Sequence, residues 1–72
     1  MALAPELART QIVLGFAALT RIDIDQAKAS FERAIALDSA NPLPRLGLGL
    51  AIIRSGALER GRKEIEIAAA LD

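Results

Sequence analysis

Apolar residues recur along the chain with the period of an α-helix. In the segment AKASFERAIALDSANP, residues 27–42, the apolar stripe is spaced by four, three and three residues and consists of Ala27, Phe31, Ala34 and Leu37. This spacing places the stripe on one face of a helix. The helix is predicted to end near Asp38. Asn41-Pro42 is predicted to begin the next helix, because Asn is a favoured N-cap and Pro is tolerated at the first helical position.

The same pattern predicts four helices, over residues 6–20, 24–37, 42–54 and 57–71. The first carries more apolar residues than one stripe requires, which is typical of a helix with neighbours on two faces. In the connection between the first and second helices, Asp23 is predicted to be the N-cap of the second helix. Ile22 is predicted to pack on the first turn of that helix as a hydrophobic staple. Gly56 is predicted to end the third helix in the left-handed conformation.

The chain repeats itself at a fixed interval, so that residue 42 corresponds to residue 8. Residues 8–38 align with residues 42–72 without a gap, and the identical pairs are Leu14/Leu48, Gly15/Gly49, Ala17/Ala51, Glu32/Glu66, Ala34/Ala68, Ala36/Ala70, Leu37/Leu71 and Asp38/Asp72. A register that pairs glycine with glycine and Leu-Asp with Leu-Asp goes beyond what two apolar helices share by chance. We therefore infer an internal duplication.

The repeat also decides between strand and helix at residues 46–53. Read alone, LGLGLAII alternates as in a strand, and two interior glycines destabilise a helix by roughly 1 kcal/mol each relative to alanine. The register favours a helix, because it places Gly49 where two helices approach closely. It offers no packing reason for Gly47.

A helix-turn-helix unit that repeats at this interval resembles the tetratricopeptide repeat (TPR) family. The first helix of that family has a Leu followed by a small residue, which matches Leu14-Gly15 and Leu48-Gly49. The second helix has a small, a large and a small residue, which matches Ala27-Phe31-Ala34 and Gly61-Ile65-Ala68. The chain departs from the family at first-helix positions that often carry aromatics, which are here Gln11, Ala18, Arg45 and Ile52.

The resemblance implies one all-α domain over residues 1–72, with four helices in two stacked antiparallel hairpins of an α-solenoid. Repeat 1 would span about 8–41, and repeat 2, at about 42–72, would be truncated. Because 53% of the residues are apolar and a chain of this size buries only about 60% of its unfolded surface, we expect a fragment of a larger bacterial TPR protein. Residues 45–72 resemble TPR segments of bacterial proteins that carry a FecR-type envelope domain. That resemblance implies the cell envelope, with the cytoplasm as the alternative.

The composition argues against catalysis and against nucleic-acid binding. The chain has no His, Cys, Tyr or Trp, so the side chains that usually serve as general base, nucleophile or soft metal ligand are missing. The carboxylate pairs Asp23/Asp25 and Glu64/Glu66 are interpreted as a cap and as solvated surface. Nine basic and nine acidic residues balance, which leaves no field to attract nucleic acid, and the apolar runs are too short to span a membrane. We expect no enzyme activity, cofactor, metal, nucleic acid or membrane span.

The TPR resemblance also implies a concave groove lined by the first helix of each repeat. Residue by residue, the groove would consist of Arg9, Ile12, Phe16, Leu19 and Thr20, followed by Leu43, Leu46, Leu50, Ile53 and Arg54. This set is mostly aliphatic, so it disfavours the TPR class that grips a terminal carboxylate with Lys, Asn and Arg.

The expected function is therefore non-catalytic protein–protein interaction or scaffolding. The groove would bind an apolar helix or peptide, or another copy of the chain through Ile12, Phe16, Leu46, Leu50 and Ile53. The alternative is a purely architectural segment of a larger multidomain protein with no ligand of its own.

Overall fold

A computed structural model describes residues 3–71, with side chains from residue 6 onwards. It has four helices, α1 (Leu3–Thr20), α2 (Ile24–Leu37), α3 (Pro42–Arg54) and α4 (Leu58–Leu71), and no strand within the described residues. The prediction of an all-α fold is confirmed, and LGLGLAII lies in a helix. Asp72, which pairs with Asp38 in the repeat, lies outside the described part.

The predicted caps begin two of these helices. The Asp23 side chain accepts a hydrogen bond from the backbone N–H of Gln26 at 3.4 Å. The Asn41 side chain accepts one from the backbone N–H of Leu43 at 3.0 Å, with Pro42 at the first helical position. Each cap satisfies an N–H that has no partner within its own helix, so both predictions are confirmed.

The helices α1, α2 and α4 each bury one face, whereas α3 is buried where it meets α2 and where it meets α4. The buried positions are Ala8, Ile12, Gly15, Ala18 and Leu19 on α1; Ala27, Ser30, Phe31 and Ala34 on α2; Pro44, Gly47, Leu48, Gly49, Ala51 and Ile52 on α3; and Gly61 and Ala68 on α4. On α2 the spacing is that of a single helical stripe. Its one polar member, Ser30, accepts a hydrogen bond from Gln26 Nε2 at 3.0 Å, so the buried hydroxyl is satisfied.

The helices pack in chain order. α1 packs on α2, α2 on α3 and α3 on α4, with a smaller contact between α1 and α3. Within residues 3–71, α4 contacts no helix except α3. The result is a plate of 38 × 27 × 14 Å, in which α1 and α4 each keep an uncovered face. The stacked arrangement of an α-solenoid stays a prediction.

The fully buried ring of Phe31 lies against two glycines from different helices. A Cβ on Gly15 of α1 would lie 2.6 Å from Phe31 Cε1, and a Cβ on Gly47 of α3 would overlap the same ring. Real Cβ atoms essentially never approach other heavy atoms this closely. The structure therefore explains Gly47, for which the sequence offered no reason.

A second pair of glycines brings α3 and α4 together. A Cβ on Gly49 would lie 2.8 Å from the carbonyl oxygen of Gly61, and a Cβ on Gly61 would lie 2.7 Å from the carbonyl oxygen of Gly49. Because the obstacle is backbone in both directions, neither helix can yield by a side-chain rotation. The close helix approach predicted at Gly49 is confirmed.

Contacts in the two halves correspond in the register seen in the sequence. Gly15 faces Phe31 in the first half. In the second half a Cβ on Gly49 would lie 2.7 Å from Cγ1 of Ile65. Gly49 aligns with Gly15, and Ile65 aligns with Phe31. The aligned residues thus share a packing role as well as a residue type.

We predict that Gly61→Ala lowers the free energy of unfolding by about 1–3 kcal/mol, because overpacking forces the backbone to shift. Helix propensity alone would act in the opposite direction, by about 1 kcal/mol. Urea denaturation followed by circular dichroism measures the change. The exposed neighbour Arg62 serves as the control for helix propensity. The difference in stability between Arg62→Ala and Arg62→Gly gives the helix-propensity difference between alanine and glycine without any change in helix packing. A Gly61→Ala protein as stable as the wild type would contradict the close approach.

We also predict energetic coupling between Gly47 and Phe31. Gly47→Ala destabilises by overlap with the ring, and Phe31→Leu destabilises by leaving a cavity. The double variant is expected to lose about 0.5–3 kcal/mol less than the sum of the single losses, because the smaller side chain makes room for the added methyl. A double-mutant cycle in urea measures this coupling. Gly61→Ala combined with Phe31→Leu serves as the additive control, and equal coupling in both cycles would refute the contact.

Candidate functional site

A concavity of about 420 Å³ lies beside the C-terminal ends of α1 and α3. It is lined by Phe16, Leu19, Thr20, Ile22, Leu50 and Arg54. Five of these residues belong to the groove predicted from the sequence, and Ile22 is added. We call this set the concave site.

Phe16 forms a wall of the concave site that the core holds in place. Its ring is half-buried and meets Phe31 edge to face, with ring centroids 4.9 Å apart and an angle of 76° between the planes. Such aromatic pairs stabilise a fold by about 0.5–1.5 kcal/mol beyond area burial. The carbonyl oxygen of Phe16 accepts a hydrogen bond from Thr20 Oγ1 at 3.0 Å. Replacing Phe16 would therefore perturb the fold together with the site.

Leu50 and Arg54 lie one turn apart on α3 and form the opposite wall. Leu50 is 37% exposed, and Arg54 is exposed in the last turn of the helix. A cation is favoured there by the negative end of the helix dipole. Arg54 brings the one charged group and Thr20 one hydroxyl to a lining set whose other four members are apolar.

Ile22 is the residue of the concave site that sequence reasoning placed differently. Its side chain is 72% exposed, so the predicted staple on the following turn is wrong. Its φ is +61°, in the left-handed region that β-branched residues rarely adopt.

The conformation of Ile22 arises from the turn that ends α1. Its N–H donates to the carbonyl of Leu19 at 3.0 Å, and the N–H of Asp23 donates to Ala18 at 2.8 Å. These two bonds form a Schellman motif, in which Ile22 takes the position that usually holds glycine. Gly56, the aligned residue of the second half, ends α3 in the same way with a φ of +102°, as predicted. The alignment of Ile22 with Gly56 was the signal in the sequence that could have revealed this geometry.

The remaining predicted groove residues lie elsewhere. Ile12 is 6% exposed and belongs to the buried stripe of α1, so it offers little surface to a partner. Leu19 is also mostly buried, at 8%, although it reaches the edge of the concave site. Ile53 is half-buried at the contact with Gly61.

Three further members of the predicted set line two other depressions. Leu43 and Leu46 lie with α4 residues in a separate concavity. Arg9 lines a depression on α1 with Glu6, Thr10, Val13 and Leu14. The predicted continuous groove is thus divided into separate surfaces.

Two kinds of feature are absent from the described part of the chain. Among residues 3–71, no group of three or more His, Cys, Asp or Glu side chains is placed to hold a metal ion. None of the helices in this range has the length and apolar character needed to cross a membrane.

Comparisons with known proteins add no family assignment. No protein-family model, curated protein or solved structure matches the chain. The resemblance to TPR units therefore rests on the residues of the chain alone.

We predict that Ile22→Gly raises the free energy of unfolding by about 1 kcal/mol. The left-handed conformation costs an L-residue roughly 1–2 kcal/mol, and the greater freedom of glycine in the unfolded chain offsets part of the gain. Urea denaturation measures the difference. Gly56→Ala, at the equivalent turn, is the matched control and is expected to destabilise, since its φ is also positive. A less stable Ile22→Gly protein would mean that packing of Ile22 outweighs its backbone strain.

Proposed function

We propose that this chain is a non-catalytic protein-interaction module, built from two TPR-like units, that binds the apolar face of an amphipathic helix in the concave site. The observation that carries the proposal is the combination of an aromatic and aliphatic lining with an exposed, strained Ile22. Apolar concave surfaces that water reaches are typical of sites for helical peptides.

The strain at Ile22 supports a binding role. Glycine would satisfy the same turn without strain, as it does at Gly56. Within its own chain the Ile22 side chain gains little, because 72% of it remains exposed. Backbone strain that the fold does not require occurs preferentially at functional sites. A partner that covers Ile22 would gain the apolar contact that the chain leaves unused.

The lining also specifies the chemistry of the partner. Phe16, Leu19 and Leu50 suit leucine-like side chains, and the guanidinium of Arg54 suits a carboxylate or the C-terminal end of a helix. The preferred partner is therefore an aliphatic helix whose C-terminal end lies beside Arg54. Because only one cation lines the site, a clamp for a terminal carboxylate built from several polar side chains is disfavoured.

The test is a titration of the ¹⁵N-labelled chain with a designed, leucine-rich amphipathic helical peptide. Amide signals of Thr20, Ile22, Leu50 and Arg54 are expected to shift. Leu50→Glu is expected to weaken binding at least about tenfold, because an apolar partner would have to bury an unpaired carboxylate, and a cost of about 1.4 kcal/mol is already a factor of ten. Because Leu50 is 37% exposed, the introduced carboxylate can reach solvent in the free chain, and circular dichroism checks that the variant folds.

Two controls accompany the titration. Leu58→Glu changes a leucine that is 55% exposed on α4 and should bind the peptide normally. A peptide with its leucines replaced by serine should cause no shifts. Absence of shifts at the concave site with the leucine-rich peptide would contradict the proposal and favour the purely architectural alternative.

A further inference from the structure

A second apolar concavity, of about 280 Å³, lies between α3 and α4. It is lined by Pro42, Leu43, Leu46, Ile65, Ala68 and Ala69. We call this set the end groove. No charged side chain lines it, and Leu43 and Leu46 are 44% and 37% exposed. It does not belong to the concave site.

The first half of the chain shows what covers the equivalent surface. The residues of the first half that align with the end groove are Ala8, Arg9, Ile12, Phe31, Ala34 and Ile35. All of these except Arg9 are more buried than their counterparts in the second half. The helix that packs on this side of the first hairpin is α3, whose Gly47 lies against Phe31. At Phe31, the equivalent surface of the first half is therefore covered by a helix of this same chain.

The helix equivalent to α3 is α1, and its corresponding face is uncovered. On α3, Gly47 lies against Phe31 and Leu48 belongs to the core cluster that contains Phe31. Pro44 lies one turn before Leu48 on the same helical face, and all three residues are buried. Their counterparts on α1 are Thr10, Val13 and Leu14, all exposed. Val13 is 64% and Leu14 is 45% exposed, whereas Leu48 is 7% exposed. We call Thr10, Val13 and Leu14 the α1 face.

The sizes of the side chains also match. Where Gly47 lies over the large ring of Phe31, a docked α1 would place Val13 over the smaller Ile65. The Gly47–Phe31 contact pairs the smallest residue with a large ring, and the Val13–Ile65 contact would pair two residues of intermediate size. The summed side-chain volume at the two contacts would therefore be similar, as close packing requires. The end groove thus fits a helix with the α1 face better than it fits a second α3.

We propose that the α1 face of one copy docks into the end groove of a second copy, so that the chain associates head to tail. The contact joins two different surfaces, so it is heterologous and leaves one α1 face and one end groove free in every open oligomer. This inference concerns surfaces outside the concave site and does not rest on the proposed function.

The test uses one variant for each side of the contact. Ala69→Glu places a charge in the end groove, and Val13→Lys places one on the α1 face; both positions are exposed. In sedimentation equilibrium, the average mass of the wild type is expected to rise with concentration beyond that of a dimer. Each variant alone is expected to remain a monomer. An equimolar mixture is expected to form a dimer and nothing larger, because one intact end groove and one intact α1 face remain.

Two controls separate this contact from others. Ala70→Glu adds the same charge at the adjacent exposed position outside the end groove and should associate as the wild type does. Leu50→Glu, in the concave site, should do the same. If Leu50→Glu abolishes association and Ala69→Glu does not, the concave site mediates it and this inference fails while the proposed function stands. A wild type that stays monomeric at millimolar concentration, or a mixture that does not dimerise, would also overturn it.

Discussion

The burial of one aromatic ring organises this small protein. Phe31 is fully buried where α1, α2 and α3 meet, and glycines of two different helices provide the space for it. A buried Phe stabilises a core by several kcal/mol, but only where neighbouring backbones can come close enough to enclose it. Gly15 and Gly47 permit this at the expense of helix propensity. The ring therefore joins α1 and α2 to α3.

The second half of the chain repeats this arrangement with smaller residues. Ile65 replaces Phe31, and the backbones of α3 and α4 approach each other directly at Gly49 and Gly61. Within the described residues α4 contacts only α3, so none of these residues covers the end groove as α3 covers part of α1 and α2. Within the same range, α1 packs on α2 and, to a smaller extent, on α3, and the α1 face remains exposed. Chain-order packing thus accounts for both unpartnered apolar surfaces.

The concave site has a different origin, since it forms where α1 and α3 both end. The two helices stop at equivalent Schellman turns, and the first of these turns directs Ile22 outwards. The site combines a rigid wall, Phe16 held against Phe31, with exposed aliphatic side chains and one cation. Its apolar character and its strained turn support the proposal that it binds a helical partner.

The sequence by itself determined the helices, the caps at Asp23, Asn41 and Gly56 and the correspondence between the two halves, because periodicity, capping and turn chemistry act within a few residues of the chain. The resemblance of the sequence to TPR units also indicated five of the six residues of the concave site. Only the tertiary structure decided that Gly47 makes room for Phe31, that Ile12 faces the core, and that the predicted groove divides into separate surfaces. These outcomes depend on how far apart helices lie and how each is rotated about its axis. Contacts between residues distant in the sequence set those quantities, and no local pattern of apolar and polar residues records them.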